Sequence, residues 1–181
     1  MERMNTRIIT ILVVVGLVTI GLVASLIESS ESDSTETSDQ ALRWHFFDEG
    51  AALAQQTNKK LLIDVYTDWC AWCKKMDKEV YTNQQVKDVL QSSFVAVKLN
   101  AESSKEVTYA DRRISETSLA RQMGVSGYPT TVFLDSNAQP ITKVAGYIEG
   151  KEFVRILRFI GQDHYKTKTY QEYLSTEGSA N

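Results

Sequence analysis

The chain holds two cysteines, Cys70 and Cys73, interleaved with Trp69 and Trp72 in the stretch DWCAWCKKM. A pair spaced C-x-x-C can exchange electrons as dithiol and disulfide, supply half of a metal site, or act as a structural staple. A tetrahedral zinc site needs about four ligands. The two histidines, His45 and His164, stand far from the pair with no finger-like spacing, so no metal is expected. A staple across so short a loop would remove little chain entropy. Two inert core cysteines would be oddly placed at a junction of strand and helix. Thiol–disulfide exchange is therefore the favoured chemistry, and it needs no cofactor, because the cysteines carry the electrons. A second candidate is Asp64, six residues earlier, in the apolar run LLIDVYT. A buried carboxylate is costly unless its pKa rises and it works as an acid or base. The other reading, a solvent-facing Asp64, is disfavoured by Leu62, Ile63, Val65 and Tyr66 around it.

The elements that must position these residues are legible in outline. LLIDVYT, residues 61–67, is apolar, partly β-branched and bounded by polar residues, and it reads as a buried strand. The cysteines follow at once and open a helix whose next residues are 74–78. A helix over residues 84–91 carries Val86, Val89 and Leu90, and FVAVKLN, residues 94–100, reads as a strand. Residues 101–117 are polar and without clear period, which predicts a long loop with no more than a helical turn. Thr117 or Ser118 is expected to cap a helix over LARQM that Gly124 ends. TTVFLD is a strand, SNAQ a turn and ITKVAG its antiparallel partner, while Phe153, Ile156, Leu157 and Ile160 mark an amphipathic helix. Upstream, RWHFF suits a short edge strand, and Asp48 is placed to cap a helix running to about Gln56. The tail, residues 162–181, has the aromatics for a short docked helix. The order describes an α/β fold: a central mixed sheet with helices on both faces.

Residues 8–27 hold no charge and are about twenty long, which suits a membrane-spanning helix. Arg3 and Arg7 precede the run and Glu28, Glu31 and Asp33 follow it, so the chain is expected to cross with its N-terminus inside. The rival is a cleaved secretory signal, which has a shorter apolar core and a small-residue cleavage site that VAS matches only weakly. In either case the remainder lies outside the cytoplasm, where disulfides persist. Residues 28–40 are acidic, rich in Ser and Thr and free of apolar residues, the composition of a solvated linker. The expected organisation is a cytoplasmic start (1–7), an anchor or signal segment (8–27), the linker (28–40), a folded domain (41–161) and a tail (162–181). Across all 181 residues the formal charge is −3 and no long basic run occurs, so no nucleic-acid partner is expected.

Taken together, IDVYTDWCAWCKKM, VAVKLN and MGVSGYPTTVFLD resemble the thioredoxin fold. The W-C-x-W-C-K-K form and the long 101–117 segment are similar to extracytoplasmic thioredoxin-like domains related to the C-terminal domain of DsbD. A helix N-terminus lowers a thiol pKa through its free N–H groups and dipole, making Cys70 the nucleophile and Cys73 the resolving thiol. The resemblance implies that Cys70 is the exposed thiol, Cys73 the more buried one, and Cys70–Cys73 a redox disulfide. It implies that Asp64 exchanges a proton with Cys73, and that Lys98 and Lys74 tune the local electrostatics. It further implies a cis Pro129 beside the pair, with Tyr128 offering backbone hydrogen bonds to a substrate. Trp69 would pack at the site, and Trp72, where ordinary thioredoxin has a Gly-Pro pair, would add a docking ring. The expected activity is that of a membrane-tethered thiol–disulfide oxidoreductase. Its partners would be cysteine-containing clients and a thiol-redox protein that donates or accepts electrons. The alternative is a binding or chaperone module on the same fold with a non-catalytic pair.

Overall fold

The computed structural model describes residues 41–178. The expected anchor and linker, residues 8–27 and 28–40, lie outside the described residues, and no helix among those described is long and apolar enough to cross a membrane. Strand β2 (Lys60–Tyr66) runs through the middle of a five-stranded sheet. It is parallel to β3 (Phe94–Asn100) on one side and antiparallel to β6 (Thr130–Leu134) on the other. β1 (Trp44–His45) adds a parallel edge to β3, and β7 (Pro140–Ala145) an antiparallel edge to β6. The RWHFF strand and the hairpin around SNAQ thus stand where the sequence placed them.

Both faces of the sheet are covered, so β2 is apolar on both sides. Leu61, Ile63 and Val65 join Val97, Leu99, Val132 and Leu134 under helices α1 (Phe47–Thr57) and α4 (Glu116–Gln122). Leu62 and Phe133 face the other way, onto Met76 of α2 (Ala71–Glu79), Leu90 of α3 (Gln84–Ser93), and Phe153 and Leu157 of α5 (Gly150–Gly161). Asp64 is the residue in β2 that breaks this apolar rule, and its place in the alternation puts it on the α2 face. Gly50 of α1 lies so close to β3 that a Cβ there would overlap Val97 Cγ2, so the helix and sheet meet only with glycine at this point.

The segment expected to be a long loop is instead a hairpin, β4 (Glu106–Tyr109) against β5 (Arg112–Ser115). Ala110 and Asp111 both take positive φ at its tip, which an Asn-Gly signal would have announced and Ala-Asp did not. Val107 plugs the hairpin into the core. Asp48 does not cap α1, whose N-cap is Phe46. It sits in the first turn, and its Oδ1 accepts the Thr108 N–H at 2.7 Å, tying hairpin to helix. Ser115, rather than Thr117 or Ser118, caps α4 by accepting from the Ser118 N–H at 3.1 Å. The hairpin delivers Ser115 to that position, which local reading had no means to anticipate. Beyond α5 the tail continues as a 3-10 turn and α6 (Tyr170–Gly178), with Tyr170 and Tyr173 packed against Phe159.

Candidate active site

Cys70 is the N-cap of α2, because β2 ends at Tyr66 and Thr67 accepts the Cys70 N–H to turn the chain. Its sulfur accepts the Cys73 N–H at 3.1 Å, the bond an N-cap side chain normally makes with a free first-turn donor. Cys70 and Cys73 are joined as a disulfide across one turn. The resemblance implied an exposed Cys70, but in this form the two differ little, at 4% and 2% of their surface.

What is exposed instead is the pair of tryptophans, Trp69 at 66% and Trp72 at 55%. Neither is a core residue. The Trp69 indole N–H donates to Glu102 at 2.9 Å, and its ring meets Tyr128 edge-on at 6.0 Å. Trp72 lies 5.5 Å from Tyr147, with the Lys75 ammonium over both rings. Tyr147 is held in turn by a 3.0 Å bond from its hydroxyl to Glu79. Two braced aromatic walls therefore flank the disulfide. The Tyr128–Pro129 peptide bond is cis. The Pro129 carbonyl accepts from Gly146, whereas no backbone hydrogen bond among the described residues engages the Tyr128 N–H or C=O. Those two groups are free to pair with an extended segment.

Asp64 is 1% exposed, in register with Lys98 on β3 and Thr131 on β6. Its Oδ2 accepts from the Lys98 ammonium at 2.5 Å, and Lys98 also binds Asp77 of α2. Burial raises the Asp64 pKa above the ordinary carboxylate value, with Lys98 opposing and Asp77 adding to the rise. Burial alone would lower the Lys98 ammonium, but Asp64 and Asp77 outweigh it and hold the lysine charged. At the start of α2 the fold joins Cys70 to Cys73 and sets Trp69 against Tyr128, and on the sheet face that α2 covers it pairs Asp64 with Lys98, which also holds Asp77 of that helix. Lys74 follows Cys73 directly and donates its backbone N–H to the Cys70 carbonyl at 3.2 Å, while its side chain is exposed. Reading the sequence missed Asp77, Tyr147 and Glu102. Asp77 had a signal: it lies four residues after Cys73, hence on the same helix face. Tyr147 and Glu102 arrive from distant turns and had none.

The chain is similar in sequence and fold to known proteins. A profile of thioredoxin-like domains matches residues 47–161. The thiol:disulfide interchange protein DsbD of Tatumella citrea is 30% identical over 130 residues, 68% of this chain but 21% of that protein. The chain thus spans about a fifth of the length of this curated relative. Among solved structures, a thioredoxin-fold protein from Helicobacter pylori superposes with a TM-score of 0.57 at 25% identity, covering 68% of this chain and 82% of the other. A thioredoxin from Thermus thermophilus gives 0.55 at 27% identity, covering 67% and 88%. With more than half its length inside the matched profile and a C-x-x-C disulfide opening α2, the chain belongs to the thioredoxin-like domain family.

Proposed function

We propose that this domain is a membrane-tethered, extracytoplasmic thiol–disulfide oxidoreductase working on cysteine-containing proteins. The observation that carries the reading is Cys70 at the N-cap of α2, bonded through sulfur to the helix N–H of Cys73. A helix N-terminus favours the thiolate over the thiol, which is what an attacking cysteine needs. Reduced Cys70 attacks one sulfur of a client disulfide, forming a mixed disulfide and releasing the other client sulfur as a thiolate that takes up a proton. Cys73 then loses its proton and attacks the Cys70 sulfur. The second client thiolate leaves, and Cys70–Cys73 is oxidised as the client gains two electrons. Run in reverse, the same steps oxidise a client. Asp64, with its raised pKa on the α2 face, is suited to take the Cys73 proton. Trp69, Trp72, Tyr128 and Pro129 form the client-facing surface, and Lys98 sets the charge balance at Asp64.

The likeness to DsbD supports an extracytoplasmic setting and a thiol-redox partner that resupplies or removes electrons. The uncharged run 8–27 followed by the acidic linker 28–40 supports a tether holding the domain, residues 41–161 with its tail, at a membrane surface. Insulin reduction by the full chain, with dithiothreitol as electron source, tests the activity. Turnover that disappears in Cys70→Ser is expected. Equal precipitation with and without Cys70 would instead favour a binding module.

A further inference from the structure

Three buried oxygens meet beside Asp64 with no hydrogen bond to any of them: Asp64 Oδ1, the Tyr81 hydroxyl and Thr131 Oγ1. All belong to nearly closed residues, at 1%, 4% and 0% exposure. Asp64 and Thr131 are register partners on adjacent strands, and Tyr81 reaches the same core face from the turn after α2. The Tyr81 ring is fixed there by Trp44 at 4.8 Å and Phe153 at 5.7 Å, both edge-on, with the Lys98 ammonium 5.4 Å from its centre. The hydroxyl is near enough to Asp64 and Thr131 for each to alter its proton affinity, yet it closes a bond of ordinary geometry with neither. Buried polar groups in folded proteins are nearly always paired, so three orphans at one spot call for a reason. Lys98 and Asp77 are the other charged groups facing this carboxylate, and Lys98 already occupies Oδ2. Of the two hydroxyls that could donate to Oδ1, it is the Tyr81 phenol that bears on the proton affinity of Asp64. Tyr81 and Lys98 also line an opening of about 560 Å³ with Trp44, Asp77 and Lys87.

We propose that Tyr81 is a positioning residue for the proton step at Asp64, its hydroxyl donating to Asp64 Oδ1 while the carboxylate is charged and turning to Thr131 Oγ1 when it is protonated. A small rotation of the phenol O–H is enough, because donor and both acceptors already share one pocket. The bond to the charged carboxylate is stronger than the one to the neutral Thr131 hydroxyl, so on balance the hydroxyl lowers the proton affinity that burial raises. This rests on the oxidoreductase reading for its use in turnover, but the hydrogen bond itself does not.

The test is therefore made on the oxidised full chain, by following the Asp64 carboxyl carbon in NMR as pH is raised. Tyr81→Phe keeps the ring and its packing while removing the donor. Its Asp64 midpoint is expected to rise by about one pH unit, the tenfold change in proton affinity that one charge-assisted hydrogen bond carries. Thr131→Val removes the competing acceptor and is expected to move the midpoint down. An unchanged midpoint in Tyr81→Phe, or a rise in Thr131→Val, overturns the proposal. The insulin assay is then run across the same pH range. If the NMR midpoints move as expected while neither wild type nor Tyr81→Phe turns over insulin, the hydroxyl assignment stands and the oxidoreductase reading falls.

Discussion

Replacing Asp64 by Asn separates the carboxylate's charge from its shape. Asp64 is 1% exposed, and its charged form is held out of water against Lys98 on Oδ2, with only a neutral phenol within reach of Oδ1. Keeping the charge there costs about 1–3 kcal/mol, the scale of an imperfectly paired buried polar group. The Asn amide removes that cost and adds N–H donors toward the Tyr81 and Thr131 oxygens, which have no partner. Lys98 keeps Asp77, so its ammonium is not left alone. For a domain of this size 1 kcal/mol corresponds to roughly 3–4 °C, so the gain is about 3–12 °C. The sign with pH follows from the direction of the shift. The folded pKa of Asp64 is raised, so its contribution to stability is fully present below the unfolded value of about 3.9 and is lost as pH rises through the folded value. Asp64→Asn has no such loss. Calorimetry on the oxidised proteins should show nearly equal Tm at pH 4 and a higher Tm for the variant at pH 8. A lower Tm for Asp64→Asn at pH 8 would mean that the Lys98 pair more than offsets the burial of the charge, and the argument from desolvation would be wrong. Insulin reduction near neutral pH should fall in the same variant, by less than the roughly 10²–10⁴-fold typical of a general base, because the opening beside Lys98 admits water.

Other outcomes follow from the same geometry. Alkylation of the reduced protein near neutral pH should mark Cys70 well before Cys73, read by peptide mass spectrometry; faster marking of Cys73 would reverse their roles. Mass spectrometry of protein extracted from membranes should find residues 8–27 still attached, and a mature chain starting near Leu26 would show cleavage. Gly50→Ala should lower Tm, by an amount consistent with about 1–3 kcal/mol of overpacking, since its Cβ meets Val97 across the α1–β3 contact; unchanged stability would mean that the helix can move off the sheet without cost.

The strands of the five-stranded sheet, the helices flanking the cysteines and α5 could be read from the sequence because hydrophobic period is a local property: β2 is apolar but for Lys60 and Asp64, and α5 repeats Phe153, Ile156, Leu157 and Ile160. The cysteine pair and Asp64 were also legible, since an acid inside an apolar strand six residues before C-x-x-C departs from pattern without reference to anything else in the chain. Contacts between distant segments were not. The hairpin at residues 106–115 is held by Val107 in the core and by Asp48 on the Thr108 N–H, 60 residues away, while its own turn carries no glycine. Strand order alone set Lys98 and Thr131 on either side of Asp64, and helix phase alone added Asp77 from above. The sequence by itself determined which residues can do chemistry, because type and short-range spacing suffice for that. Only the tertiary structure decided that Asp64 is closed from water with one oxygen unpaired, and that Tyr81 comes within reach, because burial and proximity depend on packing across the whole domain.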